Sequence, residues 1–298
     1  MKKYIVSDLI IENLLSESGK LDFRGDKKCL YERSVGRISI SKINIESDRE
    51  VKKYGCRKGN HITVSFPHVW ELTGVERGLL TEVLTAEIKC VMGGSLKRVD
   101  TNRRIFLVAG LGNGKITPDS IGTLTADKIT VTRHVAKVAP NSFDEMGICS
   151  VCAVNCGVLG ETGVESLELL RGVVNSVHPD AVIAVDALAT KESERIGRAI
   201  QISDRGIVPG AGIGNRQSTI DREALGVPVI AIGIPTVISA ATLICDSLQR
   251  LGICADEKSL YLIKKSTNSY VTLKECDVIC EELSEILAKA IDSALGVI

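Results

Sequence analysis

Aromatic side chains are scarce in this sequence: Phe, Trp and Tyr together make up 3% of its 298 residues. The core must therefore consist mainly of Val, Ile, Leu and Ala, a composition that suits parallel sheets covered by helices. Hydrophobic residues account for 44% and charged residues for 25%, as in ordinary globular proteins. The length leaves room for one large domain or two moderate ones.

An excess of charge of either sign is also missing, since 37 basic residues balance 37 acidic ones. A nucleic-acid-binding protein normally carries a basic surplus, so we expect no direct contact with nucleic acid. No run approaches the roughly 18 consecutive apolar residues of a membrane span. The first residues begin like a signal peptide, but Asp8 and Glu12 interrupt the apolar stretch. We therefore expect no membrane association and a cytoplasmic location.

Common motifs for nucleophilic or zinc-dependent hydrolysis do not occur. The sequence contains neither a G-x-S-x-G elbow nor an H-E-x-x-H helix. Its four histidines are scattered, so no Ser–His or Cys–His pair can be nominated; they are His61, His68, His134 and His178.

Ten cysteines are present, and three of them form a C-x2-C-x3-C run: Cys149, Cys152 and Cys156. Disulfides are improbable in a reducing compartment. A structural metal would need convergent ligands, whereas Cys149 and Cys152 would face opposite sides of the predicted strand. The pattern favours small buried hydrophobic side chains, and we expect neither a metal site nor another cofactor.

Alternating strand and helix signals from residue 104 onward predict an α/β fold, with a mostly parallel sheet flanked by helices and extra N-terminal strands. Strands are predicted at 37–45, 61–66, 104–110, 148–154, 181–185, 199–203 and 228–232. Helices are predicted at 76–91, from about 118, at 164–177, 191–197, 237–251 and 275–294. We expect one domain over 1–298: an N-terminal part (1–100), an α/β core (101–252), and a connector with a C-terminal helix (253–298).

Two aspartates stand just beyond apolar runs of this pattern. Asp119 follows the run 106–113 by six residues, and Asp186 directly follows the run 181–185. Ligands of open α/β sheets bind beyond the carboxyl ends of the strands, where two carboxylates could share one proton. The alternative is structural, because aspartate also caps helices and favours their N-termini.

Two glycine-rich segments have several interpretations. The segment Gly110–Gly114 lies between a strand and a helix, but Lys115 occupies the third glycine position of a dinucleotide fingerprint. No acidic residue follows at the expected strand end either, so a tight turn or close approach of a substrate is favoured. The loop 206–215 lacks the lysine of a phosphate-binding loop, and remains either a connector or a mobile flap over the crevice.

Several long motifs resemble the spore germination protease family, endopeptidases that degrade small acid-soluble spore proteins. They are Val108–Asn113, Ile116–Gly122, Ile129–His134, Val182–Ala189, Ile200–Asn215 and Leu225–Val237. The segment Ser7–Glu12 also resembles an N-terminal motif of that family. The resemblance implies a fold shared with hydrogenase maturation proteases, with Asp119 and Asp186 as the catalytic pair.

The resemblance further implies a homotetramer, made as a zymogen with a short pro-segment and active in the forespore or spore core. Its substrates would be small DNA-coating spore proteins, cut next to a glutamate during germination. Backbone N–H groups of either glycine-rich segment could stabilise the oxyanion of the reaction, so Gly112 and Asn113 are candidate substrate-binding residues in the first turn. Gly210 and Gly212 are candidates in the second glycine-rich loop.

In the expected mechanism the ionised aspartate activates water and the protonated one donates to the scissile group. Arg133 and Arg205 are candidates for pairing with an acidic substrate residue, with a structural role as the alternative. Two other functions stay open: a metal-assisted peptidase of the hydrogenase-maturation type, and a non-catalytic relative with the same fold.

Overall fold

The computed structural model describes residues 7–14, 30–54, 57–96, 104–211, 218–253, 255–267 and 269–298. Within these ranges nine strands form one sheet in the order β1-β2-β3-β7-β8-β6-β4-β5, with β9 paired to β8. The strands are β1 Leu30–Val35, β2 Ile38–Ile45, β3 Gly59–Ser65, β4 Ile105–Leu111, β5 Ser150–Gly157, β6 Ala181–Thr190, β7 Ala199–Ser203, β8 Val229–Ser239 and β9 Tyr270–Val271.

The helices connect and cover these strands. They are α1 Ile10–Leu14, α2 Asp48–Tyr54, α3 Gly74–Ser95, α4 Ile121–Lys128, α5 Arg133–Val138, α6 Pro140–Met146, α7 Leu159–Thr162, α8 Ser166–Val177, α9 Arg222–Leu225, α10 Ala240–Arg250, α11 Glu257–Ser266 and α12 Cys276–Ala294. Short 3-10 turns occur at Val69–Glu71, Thr117–Asp119 and Ser193–Arg195. None of the helices described is long and apolar enough to cross a membrane.

The sheet is covered on both faces, which explains why its central strands are almost continuously apolar. Successive residues of β6 point to opposite faces: Ile183 and Val185 pack under α3, α4 and α12, while Val182 and Ala184 pack under α8 and α9. A third cluster joins Leu9 and Ile11 of the N-terminal segment to Leu188 of β6. The start of the chain therefore covers part of the same face as α8.

The predicted α/β class and the extra N-terminal strands are confirmed, but the sheet is mixed rather than mostly parallel. Only β5, β4, β6 and β8 run parallel to one another. The three N-terminal strands and β7 join antiparallel to this group, and β9 adds antiparallel to β8. Antiparallel pairing needs only a short hairpin connection, which β1 and β2 have.

Three local predictions were wrong. The strand predicted at 181–185 continues to Thr190, so Asp186 lies inside β6 and caps no helix. The helix predicted from 118 begins at Ile121, after the 3-10 turn that contains Asp119. Residues 253–272, predicted as a connector, contain α11 and β9.

Candidate active site

Asp119 is held by the turn that follows β4 rather than by a helix end. Its Oδ2 accepts a hydrogen bond from the backbone N–H of Asn113 at 2.7 Å, and no side chain caps α4. Gly112 has a φ of 91° in this turn, and a Cβ there would lie 2.2 Å from the Asp119 carbonyl oxygen. Only glycine fits such a backbone, so a turn this tight around the carboxylate requires it. The alternative of a capping aspartate does not hold at this position.

Hydrogen bonds from two neighbouring elements hold the 3-10 turn in place. The hydroxyl of Thr236, in β8, donates to the carbonyl oxygen of Pro118 at 2.6 Å. The thiol of Cys280, in α12, donates to the carbonyl oxygen of Thr117 at 3.2 Å. Thr236 and Cys280 are both fully buried. The position of Asp119 therefore depends on the strand and the helix on which its turn rests.

Two glycines bring helix α4 unusually close to the sheet. A Cβ at Gly122 would lie 2.3 Å from the Leu111 carbonyl oxygen and 2.4 Å from that of Val185. A Cβ at Gly110 would in turn lie 2.5 Å from the Gly122 carbonyl oxygen. Because Val185 directly precedes Asp186, this contact brings the turn of Asp119 toward the strand of Asp186. Neither glycine position tolerates even a methyl group without backbone movement.

Asp186 lies in the middle of the most deeply buried strand. It is 4% exposed, and its Oδ1 accepts a hydrogen bond from the N–H of Ala187 at 2.9 Å. Its register partner in β8 is Gly233, which has no side chain beyond the backbone. The Leu188 side chain fills the space over Gly233, because a Cβ there would lie 2.4 Å from Leu188 Cδ1. The carboxyl group of Asp186 is therefore removed from bulk solvent.

The two carboxyl groups interact electrostatically. Burial raises the pKa of Asp186 well above its ordinary value, and the charge of Asp119 raises this pKa further. Burial also raises the pKa of Asp119, while the N–H of Asn113 acts in the opposite direction. Two acids in such surroundings cannot both ionise cheaply, so the pair favours a state with a single proton.

A third acidic residue, Asp8, was not found by sequence reasoning. Its negative charge also contributes to the raised pKa of Asp186. The segment 7–12 is bound to the sheet through Ala189, Thr190 and Gln201, far away along the chain. The similarity of this segment to a family motif was the available signal, but nothing local assigned Asp8 to the site.

A groove of about 360 Å³ lies on the same face of the sheet as Asp186 and is lined by its register partner Gly233, although neither Asp119 nor Asp186 is among its lining residues. It is lined by residues of the N-terminal segment, β3, β6, β7, β8 and the loop after β7: Ser7, Asp8, Ile10, Arg57, His61, Leu188, Gln201, Ser203, Arg205, Gly206, Ile207, Val208, Ala211, Ala231 and Gly233. His61 was not singled out from the sequence. Burial lowers the pKa of His61, while the contact of its Nε2 with the Arg57 carbonyl oxygen at 2.9 Å acts in the opposite direction.

The other predicted substrate-binding residues occupy different places. Gly112 and Asn113 form the turn around Asp119, and Arg205 is exposed in the groove, where it pairs with Asp204 at 3.0 Å. Gly210 lies in the loop beside the groove with a φ of 68°, whereas Gly212 lies outside the described residues. Arg133 lines a separate depression beside the first residues of β4 and β5, at the end of these strands that is far from the Asp119 turn.

The cysteine run does not converge on one point. Cys149 packs on the α12 side of the sheet, while Cys156 packs on the α8 side, where burial raises its pKa to about 12. Over the part of the chain that the structure describes, no group of three or more His, Cys, Asp or Glu side chains is arranged to hold a metal ion. These cysteines act as small apolar side chains.

Comparison with known proteins identifies the family. The model of the germination protease family matches residues 14–253. The chain belongs to the germination protease family. It is 36% identical to the germination protease of Clostridium tetani over 289 residues, which cover 89% of this chain and 87% of the relative. Identity with the Clostridium acetobutylicum germination protease is also 36%, over 303 residues and 94% and 90% of the two chains.

A third relative within the family gives the same result. The germination protease of Caldanaerobacter subterraneus subsp. tengcongensis is 37% identical over 281 residues, covering 87% of this chain and 85% of its own. Among solved structures, the [NiFe] hydrogenase maturation protease HycI from Thermococcus kodakarensis KOD1 matches with a TM-score of 0.38 and 17% identity. That match covers 69% of this chain and 98% of the solved one.

Membership in this family confirms the predicted function at the level of reaction and process. The chain is a peptidase that acts on protein substrates, and it is a spore-germination endopeptidase. The predicted resemblance, read from the motifs between residues 106 and 245, is confirmed as well.

Proposed function

We propose that this endopeptidase hydrolyses small acid-soluble spore proteins with the carboxyl pair Asp119 and Asp186. The observation that carries the proposal is that helix α4 contacts β6 at Val185 and so brings together two interacting acids from separate elements, half-buried Asp119 and buried Asp186. Such a pair can hold one proton and so offer an acid and a base at the same pH. The substrate class follows from the family resemblance of the motifs around both aspartates.

The surroundings of the two carboxyl groups support a division of roles. Asp186 is almost fully buried and lies near two other acids, so it keeps the proton and serves as the general acid. Asp119 is only half-buried and its Oδ2 accepts the N–H of Asn113, an interaction that favours the ionised form. Asp119 is therefore the general base.

The reaction then follows from these roles. Asp119 takes a proton from water as the water oxygen attacks the scissile carbonyl carbon, and Asp186 donates its proton to the carbonyl oxygen. When the tetrahedral intermediate collapses, the C–N bond breaks, Asp119 gives its proton to the departing nitrogen and Asp186 recovers one from the hydroxyl group. The pair ends with one proton, as it began. Acid–base assistance of this kind accelerates such steps by about 10²–10⁴.

The groove supplies a place for the substrate chain beside the pair. Its apolar floor includes Leu188 and Ala231, and exposed Arg205 stands at its rim. A guanidinium group can pair with a carboxylate through two hydrogen bonds, so Arg205 suits an acidic side chain of the substrate. Of the two arginines considered from the sequence, Arg205 is the one beside the groove.

Single substitutions test the carboxyl pair. We expect Asp119→Asn and Asp186→Asn each to abolish cleavage of a purified small acid-soluble spore protein, measured by mass mapping of the fragments. Asp48→Asn is the matched control, because Asp48 is 84% exposed and pairs only with Lys58 at 2.9 Å. The control should cut at the wild-type rate. Wild-type cleavage by either site variant, with its fold intact by circular dichroism, would rule out the pair.

A metal-assisted reaction remains the second candidate for the same site, since carboxylates bind hard cations. Exhaustive chelation followed by the same cleavage assay separates the two. Full activity after chelation supports the carboxyl pair alone, whereas loss of activity that added divalent cation restores supports the metal.

We further propose, from the family resemblance, that the active form is a homotetramer located in the spore core and released from a zymogen by loss of a short pro-segment. Sedimentation equilibrium of the purified chain measures the number of copies. Mass analysis of its N-terminus before and after germination measures the processing.

A further inference from the structure

Two arginines line the groove, and Arg205 is the one whose guanidinium group is available to a ligand. Its Nε lies 3.0 Å from Asp204 Oδ1, whereas its two Nη nitrogens make no hydrogen bond or ion pair with any residue that the structure describes. The guanidinium of Arg57 is already engaged, since Nη1 pairs with Asp221 at 3.0 Å and Nη2 donates to the Thr219 hydroxyl at 2.9 Å. An incoming carboxylate would therefore bind to Arg205.

Asp204 holds Arg205 and is itself held by strand β3. Its Oδ1 accepts a hydrogen bond from the backbone N–H of Asn60 at 3.0 Å, and its Oδ2 accepts one from the side-chain amide of Asn60 at 2.9 Å. The side chain of Asp204 is only 10% exposed. Because both oxygens have a partner in β3, the carboxylate has a fixed orientation, and it fixes the Nε of Arg205.

Two glycines fix Arg205 further. Gly59 has a φ of 140°, and a Cβ there would lie 2.0 Å from Arg205 Nε, so the guanidinium group lies directly on the backbone of β3. Gly206 has a φ of 71°, and a Cβ there would lie 2.0 Å from the Ile220 carbonyl oxygen. Both positions require glycine. None of these contacts involves the N-terminal segment Ser7–Glu12.

The register of the sheet separates Arg205 from Asp186. Gly233 of β8 pairs with Asp186 on one side and with Gln201 of β7 on the other. Gln201 is thus level with Asp186 but two strands away, a distance of about 10 Å. Arg205 lies four residues further along the chain, about 13 Å at the usual rise of a strand. The two Cα atoms are therefore about 16 Å apart, which an extended peptide spans in about five residues.

The groove connects these two places. Gly233 lines it at the level of Asp186, and Ser203 and Ala231 line it on the way to Arg205. The side chains at 201, 203 and 205 face the same side of the sheet, because successive side chains of a strand alternate. A substrate chain that lies in the groove therefore presents a residue remote from the scissile bond to Arg205.

We propose that Arg205 is a specificity residue that binds an acidic side chain of the substrate about three to five residues from the scissile bond, and that Asp204 is its positioning residue. This inference rests on the proposed function, in which the groove holds the substrate chain. The two Nη nitrogens donate to both oxygens of the carboxylate. Asp204 and Gly59 hold the guanidinium group in one orientation, so little conformational freedom is lost when the acid binds.

A peptide series tests the distance. The parent peptide spans a site at which the enzyme cuts a small acid-soluble spore protein, with every acidic residue except those flanking the scissile bond replaced by its amide. Glutamate is then placed at one position at a time, up to about six residues on either side, and kcat/KM is measured. We expect glutamate at one position, about three to five residues from the bond, to raise kcat/KM about tenfold. No rise within that range would overturn the proposal.

Substitution of the arginine tests which residue binds the acid. In Arg205→Gln the preference for the glutamate peptide over the parent peptide should disappear. Arg37→Gln is the matched control, because Arg37 is also 48% exposed and pairs with Glu76 at 2.7 Å, but does not line the groove. The control should keep the wild-type preference. A preference that survives in Arg205→Gln would exclude Arg205 as the specificity residue.

The role of Asp204 is tested through the same preference. Asp204→Asn keeps an oxygen for the N–H of Asn60 but removes the charge that fixes Arg205 Nε. We expect the preference to fall about two- to fivefold, through KM rather than kcat. The double variant Asp204→Asn/Arg205→Gln should match Arg205→Gln, since Asp204 acts through Arg205. A purely structural role would lower kcat/KM equally for both peptides; an unchanged preference in Asp204→Asn would therefore contradict the positioning role.

Binding without hydrolysis separates this inference from the proposed function of the carboxyl pair. A peptide whose scissile amide is replaced by a CH2–NH link cannot be cut, and fluorescence anisotropy gives its Kd with and without the glutamate. We expect the glutamate to lower Kd about tenfold in the wild type and not in Arg205→Gln. If Asp119→Asn and Asp186→Asn keep their activity, the carboxyl pair is wrong, but these Kd values still test Arg205. Equal Kd values for the two peptides in the wild type would overturn the inference.

Discussion

At the scale of single residues, the candidate site depends on groups that do not themselves react. Gly112 permits the tight turn that holds Asp119, and the N–H of Asn113 donates to its carboxylate. Thr236 and Cys280 donate hydrogen bonds to carbonyl oxygens of the same turn. The N–H of Asn113 binds the carboxylate itself, and the other contacts fix the backbone of the turn. Errors of about 1 Å in the placement of catalytic groups can cost about a hundredfold in rate, so these contacts should matter for activity.

Thr236 gives the most direct test of this support. Thr236→Val keeps the shape of the side chain but leaves the Pro118 carbonyl oxygen without its donor, which should lower the free energy of unfolding by about 1–3 kcal/mol. Since the turn is then free to move, we expect kcat to fall by about ten- to a hundredfold with little change in KM. Steady-state kinetics and thermal unfolding measure both effects. Thr236→Ser retains the hydroxyl and should recover most of kcat; equal loss in both variants would contradict the role of the hydrogen bond.

At the scale of elements, helix α4 lies in close contact with the end of β4 and the middle of β6. In Gly122→Ala the new methyl group would meet backbone atoms of Leu111 and Val185, which cannot move aside separately. We expect a loss of about 1–3 kcal/mol in the free energy of unfolding, the usual cost of overpacking, and a marked loss of kcat as the turn shifts.

The matched control for this substitution is Gly78→Ala in the exposed face of α3, where nothing lies within 4 Å of the new Cβ. Alanine is the better helix former, so Gly78→Ala should stabilise the protein by about 0.5–1 kcal/mol and leave kcat unchanged. Urea unfolding of both variants distinguishes close packing from helix propensity. A stabilised, fully active Gly122→Ala would show that α4 has room to move.

The elements also show what the sequence pattern can and cannot predict. The strands β2, β3, β4, β7 and the long helices α3 and α12 follow from their own periodicity, and the structure has them within a few residues. Asp186 misled the prediction of β6, because a charged residue after five apolar ones is typical of a strand end. The strand continues because β8 pairs with it from Val182 to Thr190, whereas β4 pairs with it only as far as Val185. Such pairing is a tertiary effect that local pattern does not contain.

Only part of the site could be predicted, again because a local sequence pattern does not contain the pairing of distant segments. The positions of Asp119 and Asp186 after apolar runs indicated candidate residues, and the family motifs supported them. Asp8 and His61 come to the groove only through pairing of distant segments, such as His61 with Ser203. Arg133 and Arg205 were equivalent in the sequence, but Arg133 lies beside β4 and β5, whereas Arg205 lies beside β7 and β8 and lines the groove.

At the scale of the whole molecule, buried acids should give the protein an unusual dependence of stability on pH. The pKa values of Asp8, Glu12, Asp119 and Asp186 are all raised, with burial as the largest cause. The folded state therefore binds these protons more tightly than the unfolded state. Their contribution is complete below the ordinary values of 3.8 and 4.5 and is lost as the pH rises toward the folded pKa values.

We therefore expect the free energy of unfolding to fall as the pH rises from about 4 through the mildly acidic range. Urea unfolding at a series of pH values measures this slope. Asp186→Asn removes the most strongly perturbed acid and should make the slope shallower, whereas Asp48→Asn should not change it. A slope of opposite sign in the wild type would show that the exposed carboxylates with lowered pKa, such as Glu76, dominate.

The attachment of the chain's beginning to β6 has a consequence for how the enzyme folds. The hydrogen bond between Ala189 and Asp8 joins residues 181 positions apart. Such distant contacts form late, because the entropy cost of closing a long loop comes before the stabilisation by the contact. Most of the sheet and its helices can assemble before the segment Ser7–Glu12 is attached to β6. Attachment of the segment Ser7–Glu12 to β6 should then be among the last steps in the folding of the newly made molecule.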